Sequence, residues 1–516
     1  MKKSESTSDL LFRSSDWNFE KLSDVYAAIS EIALGDLKLD IYPNQLEIIS
    51  WEQMLDAYSS IGMPLMYQHW SFGKRFVFEE HLYRKGHRGL AYELVINSNP
   101  CISYLMEENT MAMQALVIAH AAFGHNHFFK NNYMFRRWTE AASILSYMDF
   151  AKKYIARCEE RHGTAAVERI LDSAHALMDQ GVFRYRRAPR LSSEKERERA
   201  RERLEYEEQT YSDLWRTLPK KKDDGREDER EREARERKRA LHLPEENLLY
   251  FLEKTSLILE PWQRELLRIV RVIAQYFYPQ RQTKVMNEGC ATFVHHTIMN
   301  RLYDDDKISE GAMLEILQSH SNVIFQPSFD DPRFSGINPY ALGFAMMKDI
   351  ERICTEPTSE DRDWFPDIAG SGNWRETLLD AWANHRDESF ILQYLSPALI
   401  RHFRLFQLTD DAGEPYCEVA SIHNERGYEA IRSALARSYD IGIIQPDVQV
   451  VDVDLLGDRH LKLQHGVKQG VVLDESARNA TLRHVRRLWG YDVSLEGVDA
   501  RSGERLYECS TKQIGE

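Results

Sequence analysis

In two groups of residues in this chain, histidine and glutamate lie among apolar neighbours, a pattern that indicates a catalytic or metal-binding site. The first group is His120 and His125, and the second is Glu288 and His295. An unpaired imidazole or carboxylate is costly among apolar side chains, so each of them needs a partner. Two histidines and one glutamate are a common ligand set for a catalytic zinc with an open coordination position. We therefore predict His120, His125 and Glu288 as ligands of one divalent metal ion, zinc first, and His295 as an acid–base or orienting residue.

Helix geometry limits this prediction. Residues five apart on an α-helix point about 140° away from each other, so His120 and His125 can converge only if the helix bulges or ends at Gly124. Glu288 and His295 share a helix face but lie roughly 10.5 Å apart along the axis, so we do not expect both on one ion. The alternative interpretation is a buried network in which the four side chains hydrogen-bond one another.

Periodic apolar residues predict a large, mainly helical body that positions these groups. A short strand at 92–97, which Asn99 and Pro100 terminate, is the predicted exception. The predicted helices are 102–123, 138–160, 246–278, 284–303 and 338–353.

The pattern changes after about residue 403, where apolar and polar residues alternate. This alternation predicts β-strands, and two helical patterns lie between them. The predicted strands are 403–408, 416–422, 448–455, 461–465 and 492–497, and the predicted helices are 427–438 and 475–488. The fold class is therefore α+β, with a smaller C-terminal domain whose helices pack on one face of an antiparallel sheet.

We divide the chain at its changes of composition. A segment of alternating Glu and Arg separates two helical parts, because it has no apolar face to bury and predicts a solvated helix or a linker. The predicted parts are 1–190 (first helical part of the core), 191–243 (charged insertion), 244–400 (second helical part) and 401–516 (C-terminal α+β domain).

Composition and charge exclude several classes of function. The 516 residues include 82 acidic and 67 basic ones, for a net charge of −15, which disfavours binding to nucleic-acid backbones. No apolar run reaches the ~18–20 residues of a membrane span. Lys2 and Lys3 are not followed by the hydrophobic segment of a secretory signal, so we expect a cytoplasmic protein.

Part of the histidine pattern resembles zinc aminopeptidase-type metallopeptidases, the gluzincins. Val117–His120 resembles the start of their metal-binding helix, and Asn287–Ala291 resembles the motif of their third ligand. This resemblance implies a metallopeptidase-like helical core. Two departures matter, because Ala121 replaces the general-base glutamate and the second histidine stands one position later. Glu107 or Glu108 is an alternative source of that carboxylate.

Seven short motifs together resemble the stage V sporulation protein R (SpoVR) family. They run in order from the N-terminal part to the second helical part of the core. The motifs are Tyr58–Pro64, His69–Lys74, Ile96–Cys101, Leu105–Thr110, Phe128–Asn132, Met286–Gly289 and Gly336–Gly343.

The resemblance implies a role in sporulation, through the spore cortex and its peptidoglycan, or in stationary-phase stress. It also implies protein partners, among them a stress serine kinase system and cell-envelope enzymes, and it includes the positions of His120, His125, Glu288 and His295. No reaction comes with the family. We expect either hydrolysis of an amide-type bond in peptidoglycan remodelling or, alternatively, a non-catalytic regulator or adaptor. Oligomeric state is left open.

Overall fold

The computed structural model describes residues 10–60, 93–184, 243–409, 418–421, 423–455 and 457–513, with positions 63, 66–72, 74, 77, 78 and 241. All of the predicted charged segment 191–243 except positions 241 and 243, and residues 416, 417 and 422 of the predicted strand 416–422, lie outside these residues. The chain forms two compact units, each built from two stretches of sequence. The first unit is 1–157 with 276–444, and the second is 158–275 with 445–516.

The first unit is mainly helical and contains all the predicted site residues. Two of its segments are π-helices, Glu31–Asp36 and Ile118–His125. Helix α6 ends in the second unit, and α9 begins there. The elements are α1 Phe19–Ser30, β1 Asn44–Ile49, α2 Trp51–Ser59, β2 Glu93–Ile96, β3 Cys101–Met106, α3 Met111–Val117, α4 Asn126–Asn131, α5 Tyr133–Trp138, α6 Ile144–His162, α9 Pro261–Gln282, α10 Lys284–Asp304, α11 Glu310–Val323, α12 Pro339–Thr355, α13 Ser359–Trp364, α14 Trp374–Asn384, α15 Asp387–Tyr394, α16 Pro397–His402, β4 Gln407–Thr409, β5 Glu418–Ser421, α17 Glu425–Ser438 and α18 Ile441–Ile444.

A three-stranded sheet stands at one side of the helical core, in the order β1-β3-β2. Strand β3 is parallel to β1 and antiparallel to β2. The predicted strand at 92–97 is thus confirmed as β2, but the predicted helix 102–123 is wrong over its first part. Residues 101–106 pair with β1, and residues 102–105 also pair with β2. All of them except Tyr104 are buried, and Thr110 caps the helix that follows.

Helix α10 lies at the centre of the core. It packs against α12 and against the π-helix Ile118–His125. Contact with α12 is close because two glycines face each other: a Cβ atom added to Gly289 would lie 2.6 Å from the carbonyl carbon of Gly343. The buried carboxylate of Asp387 accepts hydrogen bonds from the N–H groups of Val285 and Met286, both at 2.9 Å, and so caps the start of α10. Burial raises the pKa of Asp387 to about 7.

The second unit contains a four-stranded sheet in the order β6-β7-β8-β9 and the helices that pack with it. The predicted α+β class is confirmed, but the sheet is mixed and not antiparallel, because β7 and β8 are parallel. A helix joins these two strands, and a crossover of this kind makes them parallel. The elements are α7 Thr164–Ala176, a 3₁₀ turn Met178–Gln180, α8 Leu248–Thr255, β6 Asp447–Val453, β7 Leu461–Val467, α19 Glu475–Trp489, β8 Val493–Asp499 and β9 Arg505–Ser510.

Other differences from the sequence prediction have local causes. The single helix predicted over 246–278 is two helices, α8 and α9, because Pro261 begins a new helix at a position where no N–H is needed. The first predicted C-terminal strand, 403–408, begins only at Gln407, and its residues pair with the described residues of the second predicted strand, β4 with β5. The predicted helices at 284–303 and 338–353 are confirmed as α10 and α12.

Among the described residues, none of the helices combines the length and the apolar character required to cross a bilayer.

Candidate metal centre

The π-helix Ile118–His125 brings His120 and His125 together. Their ring centroids lie 4.6 Å apart, with the rings nearly perpendicular. In a π-helix the hydrogen bonds join residues five apart, so side chains at this spacing lie on one face. Of the two conditions set by the sequence, a bulge or an end at Gly124, the structure has the bulge. Gly124 allows close packing at this point, since an added Cβ would lie 2.5 Å from the Cα of Ala291 on α10.

Glu288 reaches both histidines from α10. Its Oε2 atom is 3.5 Å from Nε2 of His125 and 3.9 Å from Nε2 of His120. Tyr340, in the first turn of α12, also forms a hydrogen bond with Glu288. The close contact between Gly289 and Gly343 therefore places two groups of the site, because it fixes α10 against α12.

A second carboxylate, which sequence reasoning missed, completes the group. Oε1 of Glu93, on β2, lies 3.6 Å from Nε2 of His120. The ligand atoms of Glu93, His120 and His125 all lie within 4.8 Å of one another. One signal was available: Glu93 is the single charged residue of a strand that is otherwise Leu94, Val95 and Ile96.

The spacing of these donor atoms suits a metal ion. An ion with bonds of about 2.0–2.2 Å in tetrahedral geometry separates its ligand atoms by about 3.3–3.6 Å, close to the 3.5–3.9 Å found between the carboxylate oxygens and imidazole nitrogens. Nδ1 of His125 lies 2.9 Å from Oδ1 of Asn287 and donates to it. The lone pair of its Nε2 is thereby directed at Glu288, as in metal-binding histidines oriented by a second residue.

Electrostatics also suit a bound cation. Burial lowers the pKa of His125 to about 4, so its ring is neutral. Burial raises the pKa of Glu93; His120 partly offsets this shift and the charge of Glu288 adds to it. Burial alone would raise the pKa of Glu288, but His125, His120 and Tyr340 lower it overall. For His120, burial alone would lower the pKa, but the nearby carboxylates of Glu288 and Glu93 raise it. A proton on His120 thus balances negative charge on the two carboxylates, and a divalent cation can take the place of this proton.

His295 lies behind His120 and not within the group of donors. Its Nδ1 atom is 2.9 Å from Nδ1 of His120, and its Nε2 atom is 2.9 Å from Nδ1 of His320 on α11. Burial, with the neighbouring histidines, holds the pKa of His295 well below its usual value. A neutral His295 can orient the ring of His120 through this hydrogen bond. Glu107 and Glu108 are exposed after β3 and do not belong to the group.

The donor group opens into a cavity of about 290 Å³. Glu93, His125 and Glu288 form part of its wall. The other described residues that line it are Leu94, Val95, Phe129, Gln280, Lys284, Asn287 and Tyr340. A molecule in this cavity would lie directly against the donor group.

Comparisons with known proteins agree with the sequence motifs. Residues 16–444 match the family model described as SpoVR like protein, and residues 446–500 match the SpoVR-like C-terminal domain. The chain is 54% identical over 500 residues to a protein of Escherichia coli (strain K12) described as uncharacterized protein YcgB, with 97% of this chain and 96% of that protein covered. The chain belongs to the SpoVR family. No solved structure matches it.

Proposed function

We propose that this SpoVR-family protein is a metal-dependent hydrolase of amide-type bonds. The ion, zinc first, is held by His120, His125 and Glu288, with Glu93 beside it as a further ligand or proton acceptor. The observation that supports this proposal is the convergence of two imidazole nitrogens and two carboxylates. Glu93, His125 and Glu288 of this group line one cavity.

The residues of the site divide the work of hydrolysis. When bound, the ion supplies a Lewis acid that polarises a carbonyl and lowers the pKa of a water molecule. Glu93 acts as the proton acceptor, because its carboxylate lies beside the other donor residues and burial raises its pKa. Tyr340 donates to Glu288 and holds that carboxylate in place. His295 positions His120.

The bond changes balance without a further reactant. The water oxygen forms a bond to the carbonyl carbon, and one water proton passes to Glu93. The C–N bond then breaks, and this proton passes from Glu93 to the departing nitrogen, so the products are a carboxylic acid and an amine. Glu93 ends as it began.

We base the proposed biological setting on the resemblance to the SpoVR family. We propose that the substrate is an amide-linked precursor or fragment of peptidoglycan, in sporulation or stationary-phase stress. Precursors suit a protein that acts in the cytoplasm better than the mature wall does.

An adaptor function is the second candidate, and a different feature favours it. A cavity of about 640 Å³ in the first unit is lined mainly by apolar and aromatic side chains, among them Phe329, Phe334, Phe403 and Phe406. Phe329 is 60% exposed and Phe406 is 38% exposed, and exposed aromatic surface of this kind marks protein interaction sites. The partners would be cell-envelope enzymes or a stress serine kinase system. If so, Phe329→Ser abolishes capture of a partner while His120→Ala leaves it intact.

Metal content tests the hydrolase proposal. Protein purified without nickel is analysed by plasma mass spectrometry beside His120→Ala, Glu288→Gln and, as a matched control outside the group, His296→Ala. We expect near-stoichiometric metal in the wild type and the control, and little in the two site variants. Metal-free wild-type protein that also fails to take up zinc would refute the proposal, and the adaptor function would then lead.

A further inference from the structure

The cavity at the donor group runs along the backbone of β2. Glu93, Leu94 and Val95 all line it, although they are consecutive residues of one strand. Successive side chains of a strand point to opposite faces. A cavity that contacts three in a row therefore lies beside the edge of the strand. Among the described residues, strand β2 is an edge of its sheet, with β3 on its other side.

The hydrogen bonds of β3 show which groups of β2 face outwards. The N–H groups of Cys101 and Glu107 donate to carbonyls of the β1 side at 2.8 and 3.0 Å. Odd-numbered residues of β3 therefore face β1, and Ile102 and Tyr104 face β2. Their partners in the register are Ile96 and Leu94.

Glu93 and Val95 consequently direct their backbone groups to the outer edge. Within the described residues, neither the N–H nor the C=O of Val95 has a hydrogen-bond partner. An edge strand with unpaired groups is a template for another strand. Two residues along a strand span about 6.7 Å, so a chain paired with Val95 passes the donor group at Glu93.

We propose that the cavity binds a peptide in extended conformation, which adds to the outer edge of β2 through Val95. The proposal rests on the proposed function for the identity of the site and adds the class of its substrate. Recognition by strand addition depends on the main chain and therefore tolerates varied side chains. Gln280 and Lys284 line the same cavity from the helices, and their donors can meet outward carbonyls of the peptide.

A series of backbone-modified peptides tests the pairing. The probe is acetyl-tetraalanine hydroxamate, whose hydroxamate binds zinc, and in each analogue one peptide N–H is replaced by an ester oxygen. Affinities for the zinc-loaded protein are measured by calorimetry. We expect the loss of affinity to alternate along the peptide with a period of two residues, because only alternate N–H groups of the peptide face β2. Analogues that lose a paired N–H bind about 3- to 10-fold more weakly, and the others bind like the parent.

Two variants of Val95 give the matched comparison. Val95→Pro removes the outward N–H without loss of a bond to β3, since proline is tolerated on an edge whose N–H faces out. Val95→Ala keeps the N–H. We expect Val95→Pro to bind the parent about tenfold more weakly, because the peptide carbonyl that accepts from the N–H of Val95 loses its donor. Val95→Ala should bind the parent like the wild type and keep the period of two. The zinc content of both variants should equal that of the wild type.

The possible results separate the two proposals. Normal zinc content with a flat ester series in the wild type overturns strand addition and leaves the hydrolase proposal standing. If the protein takes up no zinc, the series is measured on the protein as purified, and a period of two there overturns the hydrolase proposal alone. If Val95→Pro does not fold, the wild-type series decides the question.

Discussion

Nδ1 of His295 lies 2.9 Å from Nδ1 of His120. The His120 ring, whose Nε2 belongs to the donor group, is thus held from its other side by a second ring. A third ring continues the row, because Nε2 of His295 is 2.9 Å from Nδ1 of His320. One nitrogen of each pair must donate and the other accept. The row therefore fixes the orientation of His120 and couples its tautomer to those of His295 and His320.

His295→Phe tests this positioning. The change removes the partner of Nδ1 in His120 but none of the proposed ligands. We expect zinc affinity, measured by competition with a chelator, to fall about 10- to 100-fold, as it does when residues that orient a metal ligand are lost. His296→Phe is the control, and equal losses in the two variants would refute a positioning role.

Glu93→Gln should have opposite effects with and without metal. In metal-free protein two partly buried carboxylates, those of Glu93 and Glu288, both lie near His120, and burial raises the pKa of Glu93. Loss of one charge should stabilise the metal-free fold by about 1–2 kcal/mol. The stabilisation on adding zinc should shrink, because a donor beside the ion is lost. Thermal unfolding in chelator and in zinc measures both effects. A variant that zinc stabilises as much as the wild type would show that Glu93 is not a ligand.

Gly289→Ala should loosen the contact between α10 and α12. The added Cβ would lie 2.6 Å from the backbone of Gly343, so the helices must separate. We expect a loss of about 1–3 kcal/mol in the free energy of unfolding, together with weaker zinc binding, because Glu288 is the next residue.

Gly311→Ala is the matched control for this change. Gly311 lies in α11, and an added Cβ meets nothing within 4 Å. Alanine there should raise stability by about 0.5–1 kcal/mol. Urea unfolding measures both variants, and a neutral Gly289→Ala would contradict the close-packing argument.

Acid should destabilise the metal-free protein, in part through His320. Burial first and then the charge of His120 lower the pKa of His320 to about 4. The unfolded chain therefore takes up this proton near pH 6.5 and the folded chain only near pH 4. The stabilising contribution is complete above pH 6.5 and is lost as the pH falls towards 4. His295 and His296, whose pKa values are also lowered, act in the same direction.

Urea unfolding between pH 7 and 4.5 measures this dependence. His320→Gln should reduce its slope by up to about 1.4 kcal/mol per pH unit, the value for one proton. His402→Gln, which replaces an exposed histidine, is the control and should keep the wild-type slope. An unchanged slope in His320→Gln would contradict the assignment.

The sequence was informative where local pattern decides structure. The apolar periodicity of α10, the Asn-Pro start of α12 and the strand that contains Glu93 were all predicted from a few neighbouring residues. The helix predicted from residue 102 failed because β3 is decided by its partners: strands on both sides satisfy its backbone, and no local pattern reports them.

The site was only partly predictable for the same reason. His120, His125 and Glu288 stood out as polar residues in apolar helices, and the structure brings them together. Glu93 did not stand out, because its approach to His120 depends on how the sheet lies against the π-helix. The spacing of five residues between the histidines left the bulge as one of two alternatives, and packing of Gly124 against α10 accompanies the bulge.

The π-helix also bears on how this histidine pair is sought in other sequences. A π turn holds one residue more than an α turn between its hydrogen-bonded partners, so Ile118–His125 is equivalent to a regular helix with a single-residue insertion. Deletion of Ala122 would bring the histidines to the i, i+4 spacing at which side chains of an α-helix meet. A relative with one residue fewer can therefore present the same two imidazoles. An alignment gap between the histidines would then mark a change of helix type and not the loss of the ligand pair.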